Sequence, residues 1–229
     1  MELPWAQHDR PVARIGRDEP YELHLASPDS TRRVALERFI RQRFERQHGA
    51  RIRHFMPCLF GLENPAGQLL GAVGVRSAGS GPLFLERYLD TPIQSAIGTR
   101  LGRTEPERGE VVEVGNLAAD SPGAARLLIV ALTDLLVALG FRWVAFTGTP
   151  PLLNSFQRLG LAPIALGEAD PARMGEELTD WGSYYDSRPL VMAGDIQGGH
   201  QRLLQLGAYP RLGHQAFYAL EEMPDVVCS

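Results

Sequence analysis

Between residues 110 and 147 the chain runs through two apolar strand patterns with a helix-opening turn and a long apolar helix between them. That succession constrains the fold more than any other feature. Glu110-Val111-Val112-Glu113-Val114-Gly115-Asn116-Leu117-Ala118 reads as a buried strand that ends in polar groups. Asp120-Ser121-Pro122-Gly123 follows, then an apolar stretch from Ala124 to Phe141, then a second strand from Arg142 to Thr147. Strand, helix and strand in that order predict a βαβ unit. Asp120 or Ser121 can cap the helix, and Pro122 lacks an N–H that would have no intrahelical partner there. Small residues in the first turn, Gly123, Ala124 and Ala125, leave main-chain N–H groups accessible. With the helix dipole they make a site for a phosphate-bearing ligand. The competing reading is that small residues merely let helix and strand pack closely.

Composition narrows the chemistry. The 229 residues are 44% hydrophobic and 22% charged, an ordinary composition for a chain that buries a core. The formal net charge of −4 gives no whole-chain argument for nucleic acid. All 23 basic residues are Arg, which removes Schiff-base chemistry, a lysine base and a Walker-type lysine. Cys58 and Cys228 predict neither a disulfide framework nor a zinc site; Cys58 reads as a small core residue rather than a nucleophile. The six His are scattered without metal-ligand spacing, so no metal is expected. No basic-then-apolar leader opens the chain, and a cytoplasmic protein is the expectation. Arg126 and Asp134 interrupt the long apolar stretch. A mid-membrane Asp costs about 2.5–3.5 kcal/mol, which argues for a buried helix and against stable membrane insertion.

Residues 1–20 are polar and Pro-rich and read as a loose lead-in. The main domain is expected over 21–195, with a C-terminal extension over 196–229 packed on it. Tyr21–Leu25 reads as a short strand, and Ser27-Pro28 as the cap and first turn of a helix that Gly49 closes. Arg51–Leu62 and Leu69–Ser77 read as a hairpin around Asn64-Pro65-Ala66-Gly67. Thr91-Pro92 opens a helix to Leu101. Pro150-Pro151 opens one ended by Gly160, and Leu161–Leu166 forms another strand. An apolar stretch at Leu190–Ala193 and a helix at Gly199–Leu206 complete the pattern. An antiparallel front half running into a parallel βαβ back half predicts a mixed-sheet α/β (α+β) domain.

From Glu110 to Gly167 the sequence resembles the GNAT (GCN5-related N-acetyltransferase) superfamily. Asn154-Ser155-Phe156-Gln157-Arg158-Leu159-Gly160 is similar to its Asn-x-x-x-x-x-Gly helix. Gly123 and Ala125 fit the second half of the superfamily's phosphate loop, while Asp120 stands where Arg or Gln is usual. An acid facing a pyrophosphate is repelled by roughly 1–4 kcal/mol. Asp120 therefore either turns away or faces a donor with less charge, such as acyl-phosphopantetheine on acyl carrier protein. The Glu113–Ala118 strand also resembles acyl-homoserine-lactone synthases and N-acyl amino acid synthases. In the former a Ser-Arg pair lies where Gly115-Asn116 lies here, so their substrate contacts do not carry over. Over roughly Ser27–Asp195 the chain is similar to the thermostable haemolysin family. The matching blocks are Phe55-Met56-Pro57, Leu83–Leu89, Glu113–Ala118, Phe146–Thr149 and Trp181–Asp186.

The resemblance implies a GNAT-like, mostly antiparallel sheet flanked by helices, and acyl transfer from acyl-CoA or acyl carrier protein to a small-molecule amine. Glu113 is then the proton acceptor; otherwise it is a buried carboxylate paired with an Arg such as Arg87. Asn116 either hydrogen-bonds the acyl group or is a strand-end turn residue. Main-chain N–H groups around Gly115, Leu117 and Ala118 polarise the thioester. Ser121, Gly123, Ala124, Ala125 and Arg126 hold the donor phosphate, and Asn154 either holds the donor arm or caps its helix. Trp181, Tyr184 and Tyr185 wall an acyl or amine pocket, or belong to ordinary packing. The Arg-rich run from Arg32 to Arg53 either docks acidic carrier protein or anionic lipid, or is a solvated helix face. Two other functions stay open: a membrane-active lytic protein and a non-catalytic acyl-thioester binder. Haemolysis is also explained indirectly if the product is a surfactant-like N-acyl compound.

Overall fold

Asn64 turns the chain back on itself: its side-chain oxygen accepts the N–H groups of Ala66 and Gln68, and Gly67 takes a positive φ of 73°. That turn joins two strands of one nine-stranded sheet in the computed structural model, which describes residues 10–218. In chain order the elements are β1 (Ala13–Ile15), β2 (Tyr21–Ala26), α1 (Thr31–His48), β3 (Cys58–Glu63) and β4 (Leu69–Ser77). Next come α2 (Ile93–Leu101), β5 (Val111–Ala119), α3 (Pro122–Ala138), β6 (Trp143–Gly148) and α4 (Pro150–Arg158). The last are β7 (Ile164–Glu168), β8 (Leu190–Asp195), α5 (Ile196–Gln205), α6 (Ala208–Arg211) and β9 (Gln215–Ala216). The strand order is β7-β8-β6-β5-β4-β3-β2-β1-β9, and β5–β6 is the one parallel pairing among the described residues. The mixed, mostly antiparallel sheet expected from the sequence is the sheet observed.

Alternation along the strands sorts two faces. Cys58, Phe60 and Leu62 of β3 pack with Leu128, Ile129 and Leu132 of α3, while Leu59 packs on the other face with Leu36 and Ile40 of α1. Val111, Trp143 and Ala145 build a further core with Ile93 and Ile97 of α2. Helix α3 is apolar around most of its circumference because α5 covers it as well as the sheet. Its Asp134 accepts Nε2–H of His214 (2.9 Å) and the Tyr218 hydroxyl (2.6 Å), which fastens the C-terminal region to the domain.

Several boundaries differ from expectation. The cap of α1 is Ser30, whose hydroxyl accepts the Arg32 N–H; Ser27 instead accepts the Ser30 N–H in a turn before the helix. Residues 51–57 form no strand. Their main-chain groups bond to Asp180, Asn116 and Arg33 rather than to a ladder. Part of the presumed lead-in is β1, buried at Ala13 and Ile15 and paired to both β2 and β9. Three residues are too few to show a period. The Leu161 strand starts at Ile164, past Pro163, which has no N–H to give a ladder. The apolar stretch at Leu190 is β8, inserted between β6 and β7. Cys58 is disulfide-bonded, not a free core thiol, and Cys228 lies outside the described residues. No helix among the described residues is long and apolar enough to cross a membrane.

Candidate active site

The parallel pairing of β5 with β6 runs from Val111–Trp143 to Val114–Phe146 and stops. Beyond it β5 continues to Ala119 against β4, and β6 to Gly148 against β8. The two strands thus splay, and the β6-facing edge of β5 from Gly115 onward is left without a strand partner. On its other side β5 slips register between Ala72 and Gly74. Asn116 sits in that slip with φ 51°, a left-handed conformation that Asn tolerates better than most side chains. Its Oδ1 accepts the Met56 N–H at 2.8 Å and its Nδ2 donates to the His54 carbonyl at 3.2 Å. Both ends of the amide are therefore engaged, and Asn116 shapes the bulge as it lines the cleft.

A cavity of about 910 Å³ lies at the splay and is lined by residues from both faces of the sheet. Leu128, Leu132, Phe156 and Ile196 wall it on the α3 side; Phe44, Phe55, Phe84 and Trp181 wall it on the α1 side. The predicted residues Glu113, Gly115, Asn116, Leu117 and Ala118 all line it. So do Ser121 and Ala125, which places the start of α3 and the carboxylate on one connected space.

Glu113 is 3% exposed. Its Oε2 accepts the Phe84 N–H (2.8 Å) and its Oε1 the Leu85 N–H (2.9 Å), capping a 3-10 turn over Phe84–Tyr88. The alternative pairing with Arg87 is not what forms: Arg87 bonds Glu177 and lies over the Phe84 ring. Burial pushes the Glu113 carboxyl up to about 7, against the opposite pull of the two amide donors and the Arg76 charge. The next acid along the same turn goes the other way. Burial disfavours the charged form of Glu86, but two bonds from Arg108 and the N–H groups of Ile93 and Leu83 overcome it, taking Glu86 down to about 2. One carboxylate fixes the turn as a permanent anion, and its neighbour is left poised near neutrality.

At the start of α3, Ser121 is the cap; its hydroxyl accepts the Ala124 N–H at 3.1 Å. Asp120 is not the cap. It pairs with Arg43 of α1 (3.0 Å), which also donates to the Ala119 carbonyl. The acid that stood out at the phosphate-loop position is thus neutralised by a cation that itself lines the cavity. Gly123, Ala124 and Arg126 follow in the first turns of α3 but do not line the cavity. Asn154 is exposed in the middle of α4 and outside the cavity wall, and Thr149, not Asn154, is the N-cap of that helix.

Trp181 and Tyr184 line the cavity with ring centroids 5.1 Å apart. Tyr185 stands behind them, its hydroxyl hydrogen-bonded to that of Tyr88. His48 packs edge-on to Tyr184, and burial lowers its pKa, which favours the neutral ring. Much of the Arg-rich run is engaged internally: Arg33 and Arg41 with Glu37, Arg32 with Glu63, Arg43 with Asp120, Arg53 with Asp180. Arg38, Arg46 and Arg51 remain exposed with no ion pair among the described residues. Among those residues no group of three or more His, Cys, Asp or Glu is placed to hold a metal ion.

Residues 26–200 match the family model described as Thermostable hemolysin. The chain belongs to the thermostable hemolysin family. The match takes in β5, the start of α3 and the aromatic segment. No curated protein sequence matches this chain significantly. Among solved structures it is similar to FeeM, an N-acyl amino acid synthase from uncultured soil microbes. That match has a TM-score of 0.58 at 16% identity and covers 83% of this chain and 98% of that one. It is also similar to the AHL synthase LasI, with a TM-score of 0.53 at 12% identity over 79% and 91% of the two chains. A third is BjaI, a CoA-dependent acyl-homoserine lactone synthase solved with SAM and isopentyl-CoA, with a TM-score of 0.52 at 14% identity over 88% and 90%. The likeness at these identities is one of fold: the family member carries the GNAT-like fold its sequence implied.

Sequence reasoning did not single out Arg43, Arg76 or Phe84. Arg43 was visible only as one of a run. Arg76 acquires meaning from the β4–β5 register, in which it pairs directly with Glu113.

Proposed function

We propose that this family member is an N-acyltransferase that moves an acyl group from a thioester donor to an amine. The observation that carries the reading is the placement of the Glu113 carboxylate, poised near neutrality, on the same cavity as the N-terminal turn of α3. The donor, acyl-CoA or acyl-phosphopantetheine on carrier protein, lays its phosphate toward Ser121 and Arg43 and its arm along the free edge of β5. N–H groups on that edge suit the thioester carbonyl, whose oxygen becomes an anion in the transition state. The acyl chain takes one apolar branch of the cavity. The amine attacks the carbonyl carbon, the C–N bond forms, Glu113 takes the proton released from nitrogen, and the C–S bond breaks as the thiol leaves.

Support for the donor class comes from the fold neighbours, of which one is named as an N-acyl amino acid synthase and another as CoA-dependent. Trp181 and Tyr184 form the aromatic wall for the acyl chain or the acceptor. Docking of carrier protein falls to Arg38, Arg46 and Arg51, the arginines of the run without acidic partners among the described residues. The reading also accounts for a haemolysin label: a long-chain N-acyl product is a surfactant. The test is turnover of a series of acyl-CoA donors with an amine panel, read by mass spectrometry, together with liposome leakage by wild type and Glu113→Gln. An N-acyl product lost in the variant is expected. Leakage without donor, undiminished by the variant, would instead make this a directly lytic protein.

A further inference from the structure

Arg76 and Glu113 are direct cross-strand partners on antiparallel β4 and β5, so their side chains leave the sheet on the same face. Both line the cavity. Neighbours of opposite charge would ordinarily satisfy each other, yet here they do not bond. Each Glu113 oxygen accepts a main-chain N–H, from Phe84 and Leu85. Among the described residues Arg76 makes only a long bond, 3.4 Å, to the Pro82 carbonyl. Three other arginines on the cavity wall are matched to acids: Arg43 to Asp120, Arg53 to Asp180 and Arg87 to Glu177. Arg76 has no ion pair among the described residues. Arg51 and Arg202 also lack one, but both are exposed and neither lies across from Glu113.

We propose that Arg76 anchors a carboxylate on the acceptor, so that the amine substrate is an α-amino acid held as a zwitterion between Arg76 and Glu113. This rests on the acyl-transfer reading and names its acceptor class. A guanidinium presents a planar fork of donors that matches a carboxylate with two parallel hydrogen bonds. In an α-amino acid the ammonium and carboxylate share one carbon, and a cation and an anion on adjacent strands offer the complementary pair at side-chain spacing. The ammonium then lies against Glu113, which takes one proton from it and frees the nitrogen lone pair for attack. For such an acceptor the second proton, released as the C–N bond forms, goes to the sulfur as the C–S bond breaks and the thiol leaves. An amine without a carboxylate leaves Arg76 unmatched in the cavity and loses its orientation.

The experiment offers the purified full-length protein a range of acyl-CoA donors with free L-amino acids, the same amino acids as primary amides, and the corresponding decarboxylated amines. The wild type is expected to prefer the free acids by about tenfold to a hundredfold in kcat/KM, the range of one charge-assisted contact. Arg76→Met should raise the acceptor KM by a similar factor, leave the donor KM in place and abolish the preference. Arg76→Lys should retain part of it. Wild-type acylation of amides as readily as acids overturns this inference while leaving acyl transfer standing. So does Arg76→Met raising only the donor KM, which would assign the guanidinium to a donor phosphate. No acylation of any amine by any donor overturns both. If Arg76→Met does not fold, the wild-type preference and Arg76→Lys decide.

Discussion

Leu85 donates its main-chain N–H to Glu113 at 2.9 Å, tying a 3-10 turn to a strand 28 residues further on. With the matching bond from Phe84, the carboxylate both holds the turn and faces the cleft. Glu113→Gln keeps the size and one acceptor but sets an amide NH2 against a main-chain N–H. Turnover should fall by about 10²–10⁴, the usual weight of a general base, and stability by about 1–3 kcal/mol. Steady-state kinetics beside denaturant unfolding separate the two effects. Full turnover in this variant would remove Glu113 from the chemistry and leave it a clamp.

The pH dependence gives an independent reading. With its carboxyl pushed up to about 7 by burial, Glu113 becomes a competent base only as pH rises through that value. The kcat/KM profile should therefore climb through about pH 7 to a plateau, and Glu113→Gln should lose that limb. Stability moves in the opposite sense. Between the unfolded carboxyl value of about 4.3 and the folded one, the native state holds more protons, so this group's contribution to stability falls as pH rises through that window. Thermal melts of wild type and variant across the window should diverge with that sign.

Asn116 makes a sharper structural test. Asn116→Ala removes both side-chain bonds to residues 54–56 and places a Cβ residue less tolerant than Asn at φ 51°. A loss of about 2–4 kcal/mol is expected, and Asn116→Gly, which accepts the backbone angle, should lose less. Chemical denaturation of the three proteins orders them. Equal losses would show that the backbone angle carries no strain.

Under the acyl-transfer proposal, Arg43 serves the donor. Without its guanidinium, Asp120 would face the proposed donor phosphate as a bare anion, a repulsion of roughly 1–4 kcal/mol in a wet site. Arg43→Met should raise the donor KM about tenfold or more, and adding Asp120→Asn should recover part of it. A donor KM indifferent to both changes would place the phosphate elsewhere.

The central part of this architecture was legible in the sequence because each signal was local. The β5 run, the Ser121 cap with Pro122 behind it, the Asn64–Gly67 turn and the Gly49 helix end all stand where their residues put them. What escaped depends on contacts between distant segments. Residues 51–57 lead into an apolar run and read as its start, yet Asn116, Asp180 and Arg33 take their main-chain groups. β1 is three residues long and exists because β2 and β9 flank it. The site divided in the same way. Glu113 stands out as a candidate from its own run, and the structure places it on the cavity wall. Its amide partners, the Asp120–Arg43 pairing and the place of Arg76 beside it needed strand register and helix packing that no window of sequence contains.

The gap where β5 and β6 part brings walls from both faces of the sheet around one space. In the proposed acyl transfer, a tail seated against one wall and a head group against the other do not compete for room. Under that proposal, substitutions among Leu128, Leu132 and Phe156 retune which chain is carried, and changes around Phe55 and Trp181 retune which amine receives it. Such independence lets one scaffold diversify its products a step at a time.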